Sequence, residues 1–380
     1  PIQSAESLED TRFYNRIQRL SLDVNEAWVG LDEVLGPHTE LRIGQQRFAW
    51  GVGLGIQPTD VANPVDLRDP TRFDQRLGTP AISLLWAHQR TSLQLVYTPL
   101  FRPARMPMEV DVVANAAELF DFSDSGGGDV EIGDFESRTD LPDGRLGFAG
   151  VGGRLALATP AADVSLIFWR GYDSIPQAGG DARIIGFQTD SGRIDIGVPL
   201  TYPELYVAGG DLRAPLPGDL GLWAEGVVVF PERTVVSASR DQLENLVRIG
   251  TLDEVPDPLP ETVIQDGRPY PRSVVGVDRS FGRVLASVQW IHGLPTERSA
   301  DEVRDYVAVA GGVGISEVTR LELSATTDFT GVLAKADLSV LHRDAATLSL
   351  GGTLVTGPQG SVLGDLAPLT HVRVGASVDF

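Results

Sequence analysis

The chain has 380 residues, 42% of them hydrophobic, with 42 glycines, 25 prolines, no cysteine and a formal net charge of −21. These totals exclude disulfides, cysteine-held zinc and thiol chemistry, and the acidic balance argues against nucleic acid, whose readers carry a basic surplus. No run of about 18 apolar residues occurs, so a transmembrane helix is excluded and any crossing of a bilayer falls to strands.

The chain opens at Pro1 without a signal-peptide pattern, which reads as a signal peptide already removed. From there period-two alternation dominates and 3.6-residue stripes are rare. In chain order the predicted strands cover 16–31, 41–52, 81–88, 93–98, 146–158, 164–172, 205–212, 222–230, 274–279, 284–292, 306–315, 320–328, 334–341, 347–354 and 371–380. Short links at 90–92, 160–162, 215–219, 279–282 and 342–345 alternate with long ones at about 53–79, 99–144, 173–203, 231–272 and 293–305. Long loops confined to one end suit an outer-membrane barrel, whose periplasmic turns are short and extracellular loops long. The predicted fold is therefore all-β: one antiparallel transmembrane β-barrel domain over 1–380. It would have about 16 strands (range 14–18), of which about 15 lie in this chain. Strand direction implies a missing first strand ahead of 16–31, with residues 1–14 in the first extracellular loop.

The polar faces carry Gly, Ser, Thr and single charges, as a lumen wall would, where a solvated sandwich face would be rich in Lys, Glu and Arg. Parity places Arg42, Arg154, Asp211, Glu225, Asp278, Gln289, Glu322, Asp328, Lys335, Asp337, Arg373 and Asp379 on that wall. Intermixed acids and bases there can pair across a pore and order water in a transverse field. The acidic surplus predicts a preference for cations or neutral solutes if the acids reach the constriction. For any single residue the plainer role is solvating or filling the lumen. Trp28, Trp50, Trp86, Trp169, Trp223 and Trp290 fall near strand ends and are expected, with Tyr97, Tyr172 and Phe380, in two interfacial girdles.

In the loops, "DVANPVDLR" (60–68) has turn and capping residues at Asp60 and Asn63, a preset backbone at Pro64, and a local pair in Asp66 and Arg68. It reads as a rigid extracellular loop bracing the mouth, or as one that folds inward and constricts the pore with Arg68. The acidic stretch 110–136, with Asp129, Glu131 and Asp134, reads as a solvated loop; calcium on it or inward folding is the alternative, although its spacing is not that of an EF-hand. No zinc-protease, P-loop or nucleophile-elbow motif occurs, so an enzyme is not expected, and no cofactor or metal is. "GVGLG" (51–55) and "GVGG" (150–153) lack a following helix and read as close-packed backbone. The five histidines are scattered singly.

The last segment, "HVRVGASVDF" (371–380), alternates strictly and ends on Phe380. It resembles the C-terminal signature of bacterial outer-membrane β-barrels, which implies recognition of Phe380 by the barrel-assembly machinery and integral residence in the outer membrane of a Gram-negative cell. "LRIGQQRFAWG" (41–51), "DVANPVDLR" (60–68), "FRPARMP" (101–107) and "YPELYVAGGDLRAPL" (202–216) resemble a proteobacterial outer-membrane family of unassigned function, itself similar to alginate-export-type porins. The expected function is a porin for passive diffusion of small solutes. Its alternatives are a plugged structural or partner-binding barrel in an outer-membrane assembly, or a dedicated exporter. The expected partners are the lipid bilayer, the assembly machinery and small-molecule solutes, with no nucleic acid, and a homo-oligomer or outer-membrane complex stays open.

Overall fold

A computed structural model describes residues 24–69, 71–106, 131–139, 141–142, 150–188, 193–248, 254–255, 257, 259, 261–342 and 346–378. In chain order the strands are β1 (Ala27–Asp32), β2 (Thr39–Gln46), β3 (Thr79–His88), β4 (Thr91–Thr98), β5 (Glu131–Thr139), β6 (Gly150–Ala158), β7 (Asp163–Tyr172), β8 (Gln177–Ala178), β9 (Gly180–Gln188) and β10 (Arg193–Thr201). They continue as β11 (Glu204–Leu216), β12 (Leu220–Pro231), β13 (Thr234–Ala238), β14 (Glu261–Gln265), β15 (Tyr270–Phe281), β16 (Val284–His292), β17 (Asp305–Gly314), β18 (Thr319–Thr327), β19 (Val332–His342), β20 (Ala346–Thr356) and β21 (His371–Val378). Among the described residues two short helices, α1 (Arg240–Arg248) and α2 (Val362–Asp365), lie in connections.

Fifteen strands form one sheet in the order β1-β2-β3-β4-β6-β7-β11-β12-β15-β16-β17-β18-β19-β20-β21. Each neighbour is antiparallel, so the path is a meander that leaves only its two outer strands to manage, and these run in the same direction. No pairing joins β1 to β21 among the described residues. Register carries one face unbroken around the sheet: Ser165 of β7 lies opposite Asp211, Asp211 opposite Glu225, and Glu225 opposite Val274. The sheet curls around the segment 47–78, which bonds to β4 through Gln94, to β12 through Glu225, to β16 through Gln289 and to β19 through Lys335. Curled in this way, the meander has an inner and an outer face, the architecture of a transmembrane β-barrel.

The outer face is apolar and uncovered. Leu166, Phe168, Val228, Phe230, Val288, Val309, Leu323, Leu350, Leu354 and Val374 all point outward and are exposed. A row of this kind around a whole sheet is a surface made for lipid. The connections sort by end, as expected. β3–β4, β6–β7, β11–β12 and β15–β16 are joined by tight turns, and the opposite end carries the long links.

Those long links are not plain loops. β5, β8, β9, β10, β13 and β14 build a second, six-stranded sheet with the path β14-β13-β9-β10-β5, in which β5–β10 and β9–β13 are parallel. Parallel partners cannot be neighbours in a hairpin. The partners lie in different connections, so local alternation carried no sign of them. Two predicted strands are also shorter than expected. The one at 16–31 is seen as Ala27–Asp32, with residues 1–23 outside the described part, and the one at 41–52 ends at Gln46. Beyond Gln46 the backbone finds other partners: Asn63 takes both the amide and the carbonyl of Phe48, and Glu225 takes the amides of Val52 and Gly53.

The tryptophans correct the girdle expectation. Only Trp86 and Trp290 face outward; Trp50, Trp169 and Trp223 are buried inside, and Trp28 points inward beneath the Arg42 guanidinium at 4.2 Å. The indoles of Trp50, Trp169 and Trp223 are taken up by a packed interior.

The outer face makes a direct prediction. Leu323, central in β18, should tolerate Met with a loss below about 1.5 kcal/mol, whereas Leu323→Arg should cost about 2–4 kcal/mol. Urea midpoints of folding into lipid vesicles will distinguish the two.

Candidate functional site

The segment between β2 and β3 is the centre of the interior. Glu225 projects inward from β12 and is 3% exposed, a carboxylate buried in a barrel wall. Such a group needs donors, and the segment brings four: the amides of Val52 (2.5 Å), Gly53 and Thr59 (3.2 Å), and the Thr59 hydroxyl (2.6 Å). Glycine is required for this approach. Gly51 sits at φ +103°, and a Cβ there would lie 2.7 Å from Thr59 Oγ1 and 2.8 Å from Glu225 Oε2. At Gly53 a Cβ would stand 2.5 Å from the Ile56 carbonyl. The glycines of "GVGLG" therefore wrap a carboxylate of the wall in backbone amides, a concave anion-binding nest.

The rest of the segment is held by buried polar pairs and by apolar packing. Asn63 bridges Phe48 and Asp60, and Asp60 in turn faces Arg76 at 3.3 Å, both side chains almost wholly buried. Burial pushes the Asp60 carboxyl up to about 6 despite Arg76 and Asn63, which act to lower it. Asp66 behaves in the opposite way. Burial works against its charge, but hydrogen bonds from the Arg68 side chain and amide, and the charges of Arg68 and Arg105, hold it below its ordinary value. Phe48, Trp50 and Ala62 of the segment pack on Val96, Ile167, Trp169, Val207, Val227 and Val229 of the wall. Above, Leu67 donates to the Arg105 carbonyl, and Val65 and Leu67 share an apolar cluster with Ala104 and Ile175. Arg68 sits in this upper layer, about half exposed, on Asp66.

The filling is one-sided. Against β16–β21 a cavity of about 310 Å³ stays open between the segment and the wall. Gln289, Glu322, Lys335, Asp337 and Arg373 line it from the wall, and Arg72 and Asp74 from the segment. Its charges are mostly spent on each other: Arg72 on Asp74 at 3.3 Å, Arg320 on Glu322 at 2.9 Å, and Arg373 on Asp337. Lys335 is the exception. Its ammonium donates to the Thr71 carbonyl and has no carboxylate within ion-pair distance among the described residues. Gln289 donates to the Leu54 carbonyl and leaves its own Oε1 without a partner.

Of the other wall residues read from parity, Arg42 is held by Glu40 at 2.6 and 2.8 Å, and Arg154 reaches Ser165 at 3.2 Å and Asp211 at 3.4 Å. Asp278 faces inward opposite Gly221 and Ser287. Asp328 does not join them: it lies in the turn after β18, where its carboxylate accepts from Thr330 and Gly331. Local capping chemistry outweighed parity at that strand end. Glu131 and Asp134 fall on β5 of the second sheet. Asp129, Asp379 and Phe380 lie outside the described residues. Thr59, Arg72, Asp74 and Arg76 were missed from sequence, because nothing in their local pattern shows that the segment turns inward. Among the described residues no group of three or more His, Asp or Glu is placed to hold a metal.

Two outcomes follow from this geometry. In Glu225→Gln the amide nitrogen meets donors where the carboxylate accepted, and each lost charge-assisted bond is worth about 1.5–3 kcal/mol. Amide hydrogen exchange at 52–59 should rise strongly while the outer strands stay protected. Asp60 adds a pH dependence. Its native value lies above the unfolded one, so its ionised form costs stability. That cost is absent below the unfolded value of 3.8, grows as pH rises, and is complete above about 6. Exchange at 60–63, corrected for intrinsic rate, should therefore be slower at pH 5 than at pH 7.5, and Asp60→Asn should flatten the difference.

No protein-family model matches the sequence, and no curated protein does; the alginate-export-type resemblance therefore gains no support. Among solved structures the chain is similar to Wzi, an outer membrane protein involved in group 1 capsule assembly in Escherichia coli and a carbohydrate-binding β-barrel. There the identity is 12%, 93% of this chain and 69% of that one are covered, and the TM-score is 0.43. OccAB1 of Acinetobacter baumannii shares 9% identity over 85% of this chain and 70% of that one, with a TM-score of 0.41. A loop L8 deletion mutant of OmpT, an outer membrane protein of Vibrio cholerae, shares 11% over 76% and 77%, with a TM-score of 0.38. At such scores and identities no role passes from these proteins to this chain.

Proposed function

We propose that the protein is an outer-membrane channel for passive diffusion of small polar solutes, with its tight turns toward the periplasm and its long connections outside. The apolar outer face supports the membrane setting. The observation that carries the function is the cavity of about 310 Å³ left beside the inward segment, lined by charges of both signs. A channel running through that space would admit small hydrated solutes and disfavour a bulky polymer, which weighs against a dedicated exporter. It calls for no catalysis and no cofactor.

The wall acids reach this passage only as members of ion pairs, and Lys335 brings a cation with no carboxylate in ion-pair distance among the described residues, though Asp69, Asp74 and Asp337 act on it from farther away. A weak anion preference is thus the reading in place of the cation preference expected from composition. A second reading, a plugged barrel that docks a partner, is favoured by the apolar filling against β4, β7, β11 and β12 and by the second sheet built from the long connections.

Planar-bilayer recordings under a salt gradient test both. Stable conductance steps with a weak anion-selective reversal potential are expected. Lys335→Gln, which keeps a donor for Thr71 but removes the charge, should bring that potential toward zero with little change in conductance. A cation preference would overturn the assignment to Lys335, and silence from inserted, folded protein would favour the plugged barrel.

A further inference from the structure

Away from the cavity beside β16–β21, a second pocket lies between the inward segment and the wall formed by β3, β4, β7, β11 and β15. It is small, about 100 Å³, yet several times the ~10–15 Å³ that one water needs. Its charged lining is unbalanced. Arg76 enters from the segment, facing Asp60, and Arg272 enters from β15. Arg102 also lines it, its guanidinium donating to the Gly78 carbonyl, while Asp173 is taken by Arg298 at 3.2 Å. Asp60 is therefore the lining carboxylate nearest Arg76, and no ion pair to Arg272 is found among the described residues.

The hydrogen bonding is unbalanced in the same sense. Arg76 Nε and Arg272 Nε are both buried and neither has an acceptor among the described residues, although Arg76 Nε stands 3.3 Å from Asp60. Buried guanidinium donors without acceptors are costly, and like charges add to the cost, for Arg272 and Arg47 both press against the charge of Arg76. The position of Arg272 is nonetheless accommodated. Its stem passes over Gly293, which sits at φ +88° and where a Cβ would lie 2.7 Å from Arg272 Cγ.

We propose that this pocket binds a compact inorganic oxyanion, of the phosphate or sulfate class, which bridges Arg76 of the inward segment and Arg272 of the barrel wall. The two guanidiniums arrive from separate elements, so the ligand must accept in divergent directions, as a tetrahedral oxyanion does and a single carboxylate does less well. The guanidinium fork suits such oxygens. Bound there, the anion fastens the segment to β15 on the side opposite Lys335. It is a fixture of the plug and not a transported solute, so it stands independently of the channel reading.

The test is calorimetric titration of inorganic phosphate into the folded full chain in detergent, with chloride at matched ionic strength as reference. Saturable phosphate binding is expected, weakened about tenfold or more in Arg272→Gln and unchanged in Arg233→Gln, an exposed arginine on Glu261. Arg272→Lys, which keeps the charge and loses the fork, should weaken it less and serves if the glutamine variant does not fold. Acetate in the same titration should bind more weakly than phosphate. Absence of saturable binding in the wild-type chain, equal binding in the Arg272 variants, or tighter acetate than phosphate overturns the proposal.

Discussion

The interior depends on one buried carboxylate. Glu225 stands in the wall of a barrel, buried and with no cation beside it among the described residues, and an isolated charge there would be prohibitive. The backbone of Val52, Gly53 and Thr59 resolves it, and in doing so turns the segment 47–78 from a connection into a filling. Everything else inside follows from where that places the chain. Trp50 is brought against Trp169, ring centroids 6.2 Å apart, Asn63 clamps the segment's entry, and Thr71 comes within reach of Lys335.

The filling also explains why the inner wall has two characters. Where the segment leans, the wall is apolar, as at Val96, Ile167, Val207, Val227 and Val229, because it forms half of a hydrophobic core. Where the segment stands away, the wall carries Glu322, Lys335, Asp337 and Arg373. A barrel that looked uniformly lined from composition is a packed protein on one side and a solvated one on the other. Lys335 belongs to the seam, one end of its side chain on the wall and the other on the segment.

The number of barrel strands and the sorting of short and long links were legible in the sequence, because period-two alternation and tight turns are local properties. The inward turn was not, since its cause, Glu225, lies more than 160 residues from its partners. A trace of it existed. Alternation lapses into continuous apolar runs at "LIFW" (166–169) and "VVVF" (227–230), the stretches that face lipid on one side and the segment on the other. Such runs mark a strand buried on both faces. The second sheet left no comparable trace, because its parallel pairs join different connections. Asp328 misled by parity, since a residue one step past a strand end follows the turn and not the pleat.

The contacts that hold the segment also set an order of assembly. Val52 finds Glu225 across 173 residues, Leu54 finds Gln289 across 235, and Thr71 finds Lys335 across 264. None of these loops can close until later strands have arrived, and closure entropy must be met before the contacts reward it. The first half of the barrel can hold the segment's entry alone, through Trp50 on Gln94 and Trp169 and Phe48 in the same apolar cluster. The anchors at Glu225, Gln289 and Lys335 engage only when the second half brings them in.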